Sequence, residues 1–308
     1  MCAKERRRRF IVHECNHVYQ KTVKGFVLFY DREDYLLCYM ILSVKAKKYG
    51  IKVLKICFMI DHIHMLIEAP SCKVMSDFIR DYSSVYIHEY NTSVGRSGQM
   101  FHKSYGSAPK KGGKKTRSAI IYIGNNPVEK KMCIQAEDYR WNFLKYIVKS
   151  YPFSTERQLA ECSRQLRRSI SIVNAASKAG RFLNYNRLWD IFDSLTESEK
   201  EYLTDHIIKS YPLIDADRLW SYYEDWNQMV TAMHSTTGSE HDIKEAYSNG
   251  SDQIYHDMMR YLVEKGFKPV RSVITLPLDQ KIQLADDLRL HTGASPYEIK
   301  KFLHKLCT

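Results

Sequence analysis

The sequence lacks any segment that would cross a membrane or act as a secretion signal. No run of about 18 consecutive apolar residues occurs anywhere in its 308 residues. The basic cluster at positions 6–9 lies in the opening MCAKERRRRF, and no apolar signal region follows it. We therefore expect a cytosolic protein, associated with the nucleoid if its partner is DNA.

The common zinc and nucleotide motifs are also missing. There are eight cysteines and none forms a CxxC pair. Scattered thiols in a cytosolic chain of this size are usually reduced and structural, which argues against a zinc ribbon or finger. Neither GxGxxG nor GxxxxGK[ST] occurs, so neither a dinucleotide site nor a P-loop is predicted.

Positive charge is what the sequence has in excess. Lysine and arginine number 47 against 35 acidic residues, a net charge of +12. This balance favours a polyanionic partner and speeds its capture at low salt, although a solvated basic surface is the plain alternative. The 22 tyrosines are compatible with base stacking, but most such rings are buried, so their number decides nothing.

The first 150 residues alternate between strand and helix patterns. We predict a strand at 13–23, a helix from the N-cap Asp31 to the C-cap Gly50, strands at 51–60 and 62–68, a helix at 71–91, a mobile basic loop at 93–117 around a short strand at 99–102, and a helix at 118–125 that ends near Pro127. This order describes an α+β sandwich with a mainly antiparallel sheet.

The second half, 151–308, reads as a helical domain. Helices are predicted at 183–195 and 197–208, and a polar loop or linker at 235–251. A helix at 278–290, a glycine-containing turn and a second helix beginning at Ser295 resemble a helix-turn-helix at 278–306. Lys300, Lys301 and Lys305 put positive charge on the second helix, which favours DNA contact; a plain hairpin packed on the body is the alternative.

The segment DHIHMLIE at 61–68 is the first candidate for chemistry. Residues two apart on a strand share a face, so His62 and His64 can bind one ion together. Two imidazoles leave coordination positions for substrate oxygens. With 12 histidines in the chain, the HxH triplet alone is a weak signal.

The segment AIIYIGNNPVEKK at 119–131 adds two further candidates. Tyr122 and Asn126 lie four apart, so on a helix they share one face at a separation of about 6 Å. A phenol able to attack phosphorus and an amide oxygen able to ligate an ion would then meet. Taken alone, a buried aromatic and a C-cap are the commoner roles of these residues; their combination with the histidine pair favours a site.

Four segments in this order resemble the HUH transposases with a single catalytic tyrosine, especially the REP-associated tyrosine transposases. They are HVYQKTVKGFVLFYDREDY at 17–35, CFMIDHIHMLIEAP at 57–70, YIGNNPV at 122–128 and EDYRW at 137–141. Ile60 and Asp61 stand where the family usually has Pro-Asn before the first histidine. The resemblance covers roughly residues 10–150 and implies a ferredoxin-like HUH nuclease domain at 1–150.

The resemblance implies that His62, His64 and Asn126 hold Mg²⁺ or Mn²⁺ and that Tyr122 attacks the scissile phosphate. The products would be a 5′-phosphotyrosine link and a free 3′-OH, and a second 3′-OH could reverse the step. The substrate it implies is single-stranded or hairpin DNA. The base that would help the phenol, whose ordinary pKa is about 10, is not evident in the sequence.

Basic residues flank the tyrosine helix and could grip the DNA backbone. They are Lys110, Lys111, Lys114, Lys115 and Arg117. Asp61 could orient a histidine ring, although a turn residue is its commoner role, and Gly124 could permit mobility or close approach of DNA.

Other functions remain open on the sequence. A domesticated DNA-binding protein or regulator could keep the fold without transposition. A replication initiator or relaxase usually carries more histidine ligands or two tyrosines, and a zinc hydrolase would need a further ligand at suitable spacing. The family that the chain resembles includes both dimers and apparent monomers, so a homodimer is one of two open alternatives.

Overall fold

The computed structural model describes residues 10–102, 104–235 and 251–304. Its N-terminal part contains strand β1 (Cys15–Lys21), helix α1 (Arg32–Tyr49), strands β2 (Lys52–Phe58) and β3 (His62–Glu68), helix α2 (Cys72–Val94), strand β4 (Gly106–Lys110) and helix α3 (Gly112–Glu129). Three single-turn 3₁₀ helices follow between residues 136 and 147. This is the expected α+β arrangement.

The four strands form one antiparallel sheet in the order β2-β3-β1-β4. β2 and β3 are joined by a tight turn in which the Met59 N–H donates to the His62 carbonyl at 2.9 Å. β4 is an edge strand and contains Pro109, which is tolerated there because an edge position needs fewer ladder hydrogen bonds. β3 and β1 are therefore central and hold their side chains rigidly.

The two faces of the sheet are covered by different helices. In β3, Ile63, Met65 and Ile67 join the core formed with α1 and α2. The alternate positions face the other way, and there Leu66 packs in a cluster with Ile120 and Tyr122 of α3. Because strand side chains alternate, both histidines of β3 lie on the α3 side of the sheet.

The helix caps follow the sequence signals. Asp31 caps α1 in a reciprocal box with Asp34, and Gly50 ends that helix at φ 61°. Ser71 caps α2 through a hydrogen bond from the Val74 N–H. β3 spans the residues that the sequence predicted.

Two predicted segments were wrong. The strand lies at Gly106–Lys110 rather than at 99–102, where only Phe101 forms an isolated bridge to Thr22. The tyrosine helix begins at Gly112 and ends at Glu129, so much of the expected basic loop is helical and Pro127 lies inside the helix. Pro127 cannot donate to the Ile123 carbonyl, and the helix ends two residues later at Glu129.

The C-terminal half is helical in its described parts. It contains α4 (Arg164–Lys178), α5 (Tyr185–Phe192), α6 (Glu197–Ser210), α7 (Ala216–Trp220), α8 (Trp226–Ser235), α9 (Gln253–Glu264), α10 (Leu278–Thr292) and α11 (Pro296–Phe302). The capping boxes at Thr196 and Ser295 both form. The expected linker at 235–251 falls almost entirely outside the described residues.

Side chains from both halves share one hydrophobic cluster with the sheet. Arg271 is fully buried, forms an ion pair with the equally buried Asp34 of α1, and stacks its guanidinium 3.5 Å from the Tyr185 ring centre. Tyr185 also donates to Asp34 at 2.7 Å. A buried charge is costly unless it is paired in this way, so the pair makes α1 depend on the C-terminal half.

None of the helices in the described part of the chain is both long enough and apolar enough for a membrane span.

Candidate active site

Three histidine rings lie together on the α3 side of the sheet. The ring centroids of His62 and His64 are 4.8 Å apart, and those of His64 and His17 are 5.1 Å apart. His17 belongs to β1, whose residues pair with β3 so that Tyr19 stands opposite His64 and Lys21 opposite His62. The strand pairing thus brings a third histidine to the pair that the sequence identified.

A carboxylate holds the His62 ring. Its Nδ1 lies 2.6 Å from Oδ1 of Asp61, which makes Nδ1 the donor to the carboxylate. The Nε2 atom is buried and has no hydrogen-bond partner among the described residues. A histidine that donates one ring nitrogen to a carboxylate and turns the other into a cavity has the arrangement of a metal ligand.

The ring of His64 is held in a similar way. Its Nδ1 lies 3.0 Å from Nε2 of His17, and both rings are fully buried. If Nδ1 of His64 carries the proton, His17 accepts it and Nε2 of His64 is the nitrogen that would ligate an ion. The candidate ligand atom is therefore Nε2 in both histidines of β3.

Burial keeps His64 neutral. Burial first, and then repulsion from His62 and His17, hold the pKa of His64 well below its ordinary value. A neutral imidazole is the form that ligates metals. The donor set thus fits a divalent ion, although no three Cys, His, Asp or Glu side chains within the described ranges are grouped closely enough to hold one without other ligands.

Helix α3 lays Tyr122 against these rings. Ala119, Ile120, Tyr122 and Ile123 are all buried, and this apolar stripe seats the helix on Leu54, Cys57 and Leu66 of the sheet. The Tyr122 ring centroid is 5.8 Å from that of His64 and 5.7 Å from that of His17, with edge-on geometry in both cases. Tyr122 therefore lies beside His64 of the pair, and its role as the nucleophile stays a prediction.

Asn126 lies one turn further along the same face and is buried. Its Nδ2 donates to the Tyr122 carbonyl at 2.9 Å. Because the amide nitrogen bonds to the helix backbone, Oδ1 is the atom that could ligate an ion. Asn126 as a third ligand stays a prediction.

Packing, rather than DNA, approaches Gly124 closely. A Cβ added there would lie 2.9 Å from Sδ and 3.0 Å from Cε of Met233 in α8. Asn125 of the same turn donates to the Met233 carbonyl at 2.8 Å, and Asn142 donates to the Gly124 carbonyl at 2.8 Å. The glycine lets α8 cover the tyrosine helix, so the interpretation that it admits DNA needs revision.

The basic residues next to the helix divide into two groups. Lys111, Lys114, Lys115 and Arg117 are exposed at the start of α3. Lys114 and Arg117 line a surface groove of about 520 Å³ together with Tyr222. Lys110, by contrast, lies in β4 and is 1% exposed, so its contact with DNA stays a prediction that this burial does not favour.

The C-terminal hairpin has the predicted helices, but α11 turns inward. Ile299, Phe302 and Leu303 are buried, and Nζ of Lys301 lies 3.1 Å from Oδ2 of Asp61. DNA contact by Lys301 stays a prediction, and it would compete with this ion pair to Asp61. Lys300 is partly exposed, and Lys305 lies outside the described residues, as does the basic cluster at 6–9.

His17 and Lys301 are the contributions that the sequence did not reveal. An alternation signal for His17 was present, because His17, Tyr19 and Lys21 occupy one face of a strand that precedes the HxH strand. No local signal could relate Lys301 to Asp61, which is 240 residues away.

Two comparisons with known proteins found a similarity. Residues 2–126 match the family model described as transposase IS200 like. A solved structure described as a REP-associated tyrosine transposase bound to a REP hairpin resembles this chain with 16% identity and a TM-score of 0.41, covering 47% of this chain and 86% of the other. No curated protein matches.

The family match thus covers the four-stranded sheet and helix α3 as far as Asn126. The helical region that follows lies beyond the matched residues.

Proposed function

We propose that the chain is a metal-dependent DNA transposase that nicks and rejoins single-stranded or hairpin DNA through a 5′-phosphotyrosine intermediate. The observation that carries this proposal is the packing of the Tyr122 ring against His64 and His17, within 6 Å of both ring centres. A nucleophile and a pair of imidazoles with oriented Nε2 atoms are the parts that such a reaction needs.

The proposed ion is Mg²⁺ or Mn²⁺, held by His62, His64 and Asn126. When bound, it would neutralise charge on the scissile phosphate and orient it. The residues of this chain do the rest: Asp61 and His17 hold the two imidazoles, and α3 carries the phenol to them. The bond from phosphorus to the 3′ oxygen breaks as the bond to the Tyr122 oxygen forms, and the phenol proton leaves to solvent or a neighbouring group.

Single-stranded or hairpin DNA is the proposed substrate because the phosphate must bend into a covered site. Tyr122 is only 8% exposed, so DNA has to displace part of its cover. The exposed cations at the start of α3 would hold the backbone beside the site, and Tyr222 lines the same groove as Lys114 and Arg117. Basic and aromatic groups in one groove suit single-stranded nucleic acid.

The contribution of the groove is measurable through salt dependence. Removing one cation that neutralises a phosphate lowers the slope of log affinity against log salt by about 0.7 for single strands. We expect Lys114→Gln with Arg117→Gln to reduce the slope by roughly 1.4. The matched control is Lys149→Gln with Lys178→Gln, which also removes two cations but lies away from α3, and it should leave the slope unchanged.

Strand labelling tests the chemistry directly. Because the tyrosine would retain the 5′ phosphate, DNA labelled at its 3′ end should migrate with the protein on a denaturing gel in the presence of Mn²⁺. DNA labelled at its 5′ end should give a shorter free strand. Tyr122→Phe should abolish both products, whereas Tyr223→Phe, which alters a buried tyrosine of the same cluster, should retain them.

The outcome separates the two candidate functions. Absence of an adduct with every hairpin and single strand from the flanking genome, while binding persists, would favour a domesticated DNA-binding protein. An adduct that still forms in Tyr122→Phe would show that another residue is the nucleophile. A homodimer remains part of the proposal only if the adduct forms when Tyr122→Phe and His64→Ala subunits are mixed.

A further inference from the structure

The short helix α11 at the end of the described chain contacts the catalytic centre. Lys301 reaches Asp61 at 3.1 Å, and Asp61 reaches Nδ1 of His62 at 2.6 Å. The Lys301 and Asp61 side chains are only 15% and 20% exposed. A continuous chain of charge-assisted hydrogen bonds thus runs from the C-terminal hairpin to a proposed metal ligand.

Gly25 and two tyrosine rings lie close to the Lys301 side chain. A Cβ added at Gly25 would lie 3.0 Å from Cε of Lys301 and 3.3 Å from Oδ2 of Asp61, and Gly25 adopts φ +65°. The Lys301 Nζ lies 5.5 Å from the Tyr255 ring centre and 5.6 Å from that of Tyr297. The glycine therefore leaves the space in which the ion pair forms.

The backbone on both sides of the pair is also fixed. The Val27 N–H donates to the Lys301 carbonyl at 3.3 Å, and the Thr22 N–H donates to the Asp61 carbonyl at 2.9 Å. Tyr30 donates its hydroxyl to the Phe302 carbonyl. These bonds anchor α11 to the segment between β1 and α1, so the position of Lys301 does not depend on the ion pair alone.

Other charged groups face this cluster. Asp252, at the start of α9, is close enough to interact electrostatically with Asp61, His62 and Lys301. Asp61 accepts hydrogen bonds from both of its partners, Nδ1 of His62 and Nζ of Lys301.

We propose that α11 is a structural part of the catalytic centre: Lys301 is a positioning residue that holds Asp61, and Asp61 holds the His62 ring with Nε2 directed at the ion. This inference rests on the proposed metal site. It also extends the site beyond the residues that match the family model, since Lys301 lies outside 2–126.

Mn²⁺ affinity of the full chain without DNA is the appropriate readout, measured by electron paramagnetic resonance of the free ion. Loss of an outer partner of a metal-ligating histidine typically lowers affinity 10–100-fold. We expect Asp61→Ala to show about that loss. Asp61→Asn removes the same charge but keeps an acceptor oxygen, so the difference between the two variants isolates the orienting hydrogen bond.

Whether Lys301→Met raises or lowers the Mn²⁺ affinity tests the role of helix α11. A purely electrostatic role predicts tighter Mn²⁺ binding, because a positive charge near the ion is removed. Positioning predicts weaker binding, by about 3- to 10-fold since Lys301 acts through Asp61. Lys301→Arg should restore the affinity, and Arg289→Met, which removes an exposed charge from α10 of the same hairpin, should not change it.

Thermal melting of each variant separates unfolding from loss of affinity, and only variants folded at the assay temperature are compared. If Lys301→Met is destabilised, Lys301→Gln repeats the test with a polar side chain. Affinity that is unchanged or increased in the folded Lys301 variants, while the wild type binds Mn²⁺, would overturn this inference and leave the proposed function standing. A wild-type chain that binds no Mn²⁺ would overturn both.

Discussion

His17 offers the sharpest test of how the site is organised. Its Nε2 lies 3.0 Å from Nδ1 of His64, and neither ring is exposed to solvent. In His17→Ala the Nδ1 proton of His64 would lose its acceptor. Alanine brings no charge of its own to this position near the ion.

The magnitude follows from that hydrogen bond. A buried donor without an acceptor costs about 1–3 kcal/mol. Since 1.4 kcal/mol corresponds to tenfold in affinity, a loss of this size agrees with the 10–100-fold that outer partners of ligating histidines contribute. We therefore expect Mn²⁺ affinity to fall about tenfold or more in His17→Ala.

The assay is a Mn²⁺ titration at pH 7.5 without DNA. His17→Gln should recover part of the loss, because an amide oxygen can accept the Nδ1 proton. His88→Ala, which removes an exposed histidine from α2, serves as the control for weak surface binding. A His17→Ala affinity within twofold of the wild type would refute the reasoning.

Three further predictions concern the frame around the site. Arg271→Met should lower the free energy of unfolding by about 3–5 kcal/mol in urea titrations, because it leaves the buried Asp34 carboxylate without its cation. A loss under about 1 kcal/mol would contradict this prediction. Gly106→Ala should destabilise the chain by about 1–3 kcal/mol in the same assay, because the added Cβ would lie 1.8 Å from the Tyr19 ring. Gly113→Ala is the control and should not destabilise the chain, because the nearest atom to its added Cβ is 4.0 Å away. Burial lowers the pKa of His304 to about 3, so the folded chain favours the neutral ring, whose contribution to folding stability is complete above about pH 6.5 and is lost as the pH falls. The difference in unfolding free energy between wild type and His304→Gln should therefore shrink by about 2 kcal/mol from pH 6.5 to 5. A difference that grows would contradict this prediction.

Local patterns predicted the elements that depend on local interactions. The bounds of β3 follow from the alternation in HIHMLIE, and those of α1 and α11 follow from their capping residues. The meeting of Tyr122 with His64 was predicted because each residue type is informative and both segments had a clear secondary structure.

Elements made by tertiary pairing were missed. The sequence of β4, GSAPK, has no strand signature, and it is a strand because β1 offers it a partner edge. Gly112 and Gly113 suggested a loop, yet they begin a helix that the apolar stripe of α3 holds against the sheet. The Lys301–Asp61 pair joins residues 240 positions apart, beyond the reach of any periodicity.

The central claim is that one ion sits between His62 and His64 and faces Tyr122. Anomalous diffraction from crystals soaked in Mn²⁺ measures this directly. The account predicts a peak about 2.0–2.2 Å from Nε2 of both histidines, on the side of the Tyr122 ring. A peak bound through Nδ1, a peak elsewhere, or no peak at saturating Mn²⁺ would contradict it.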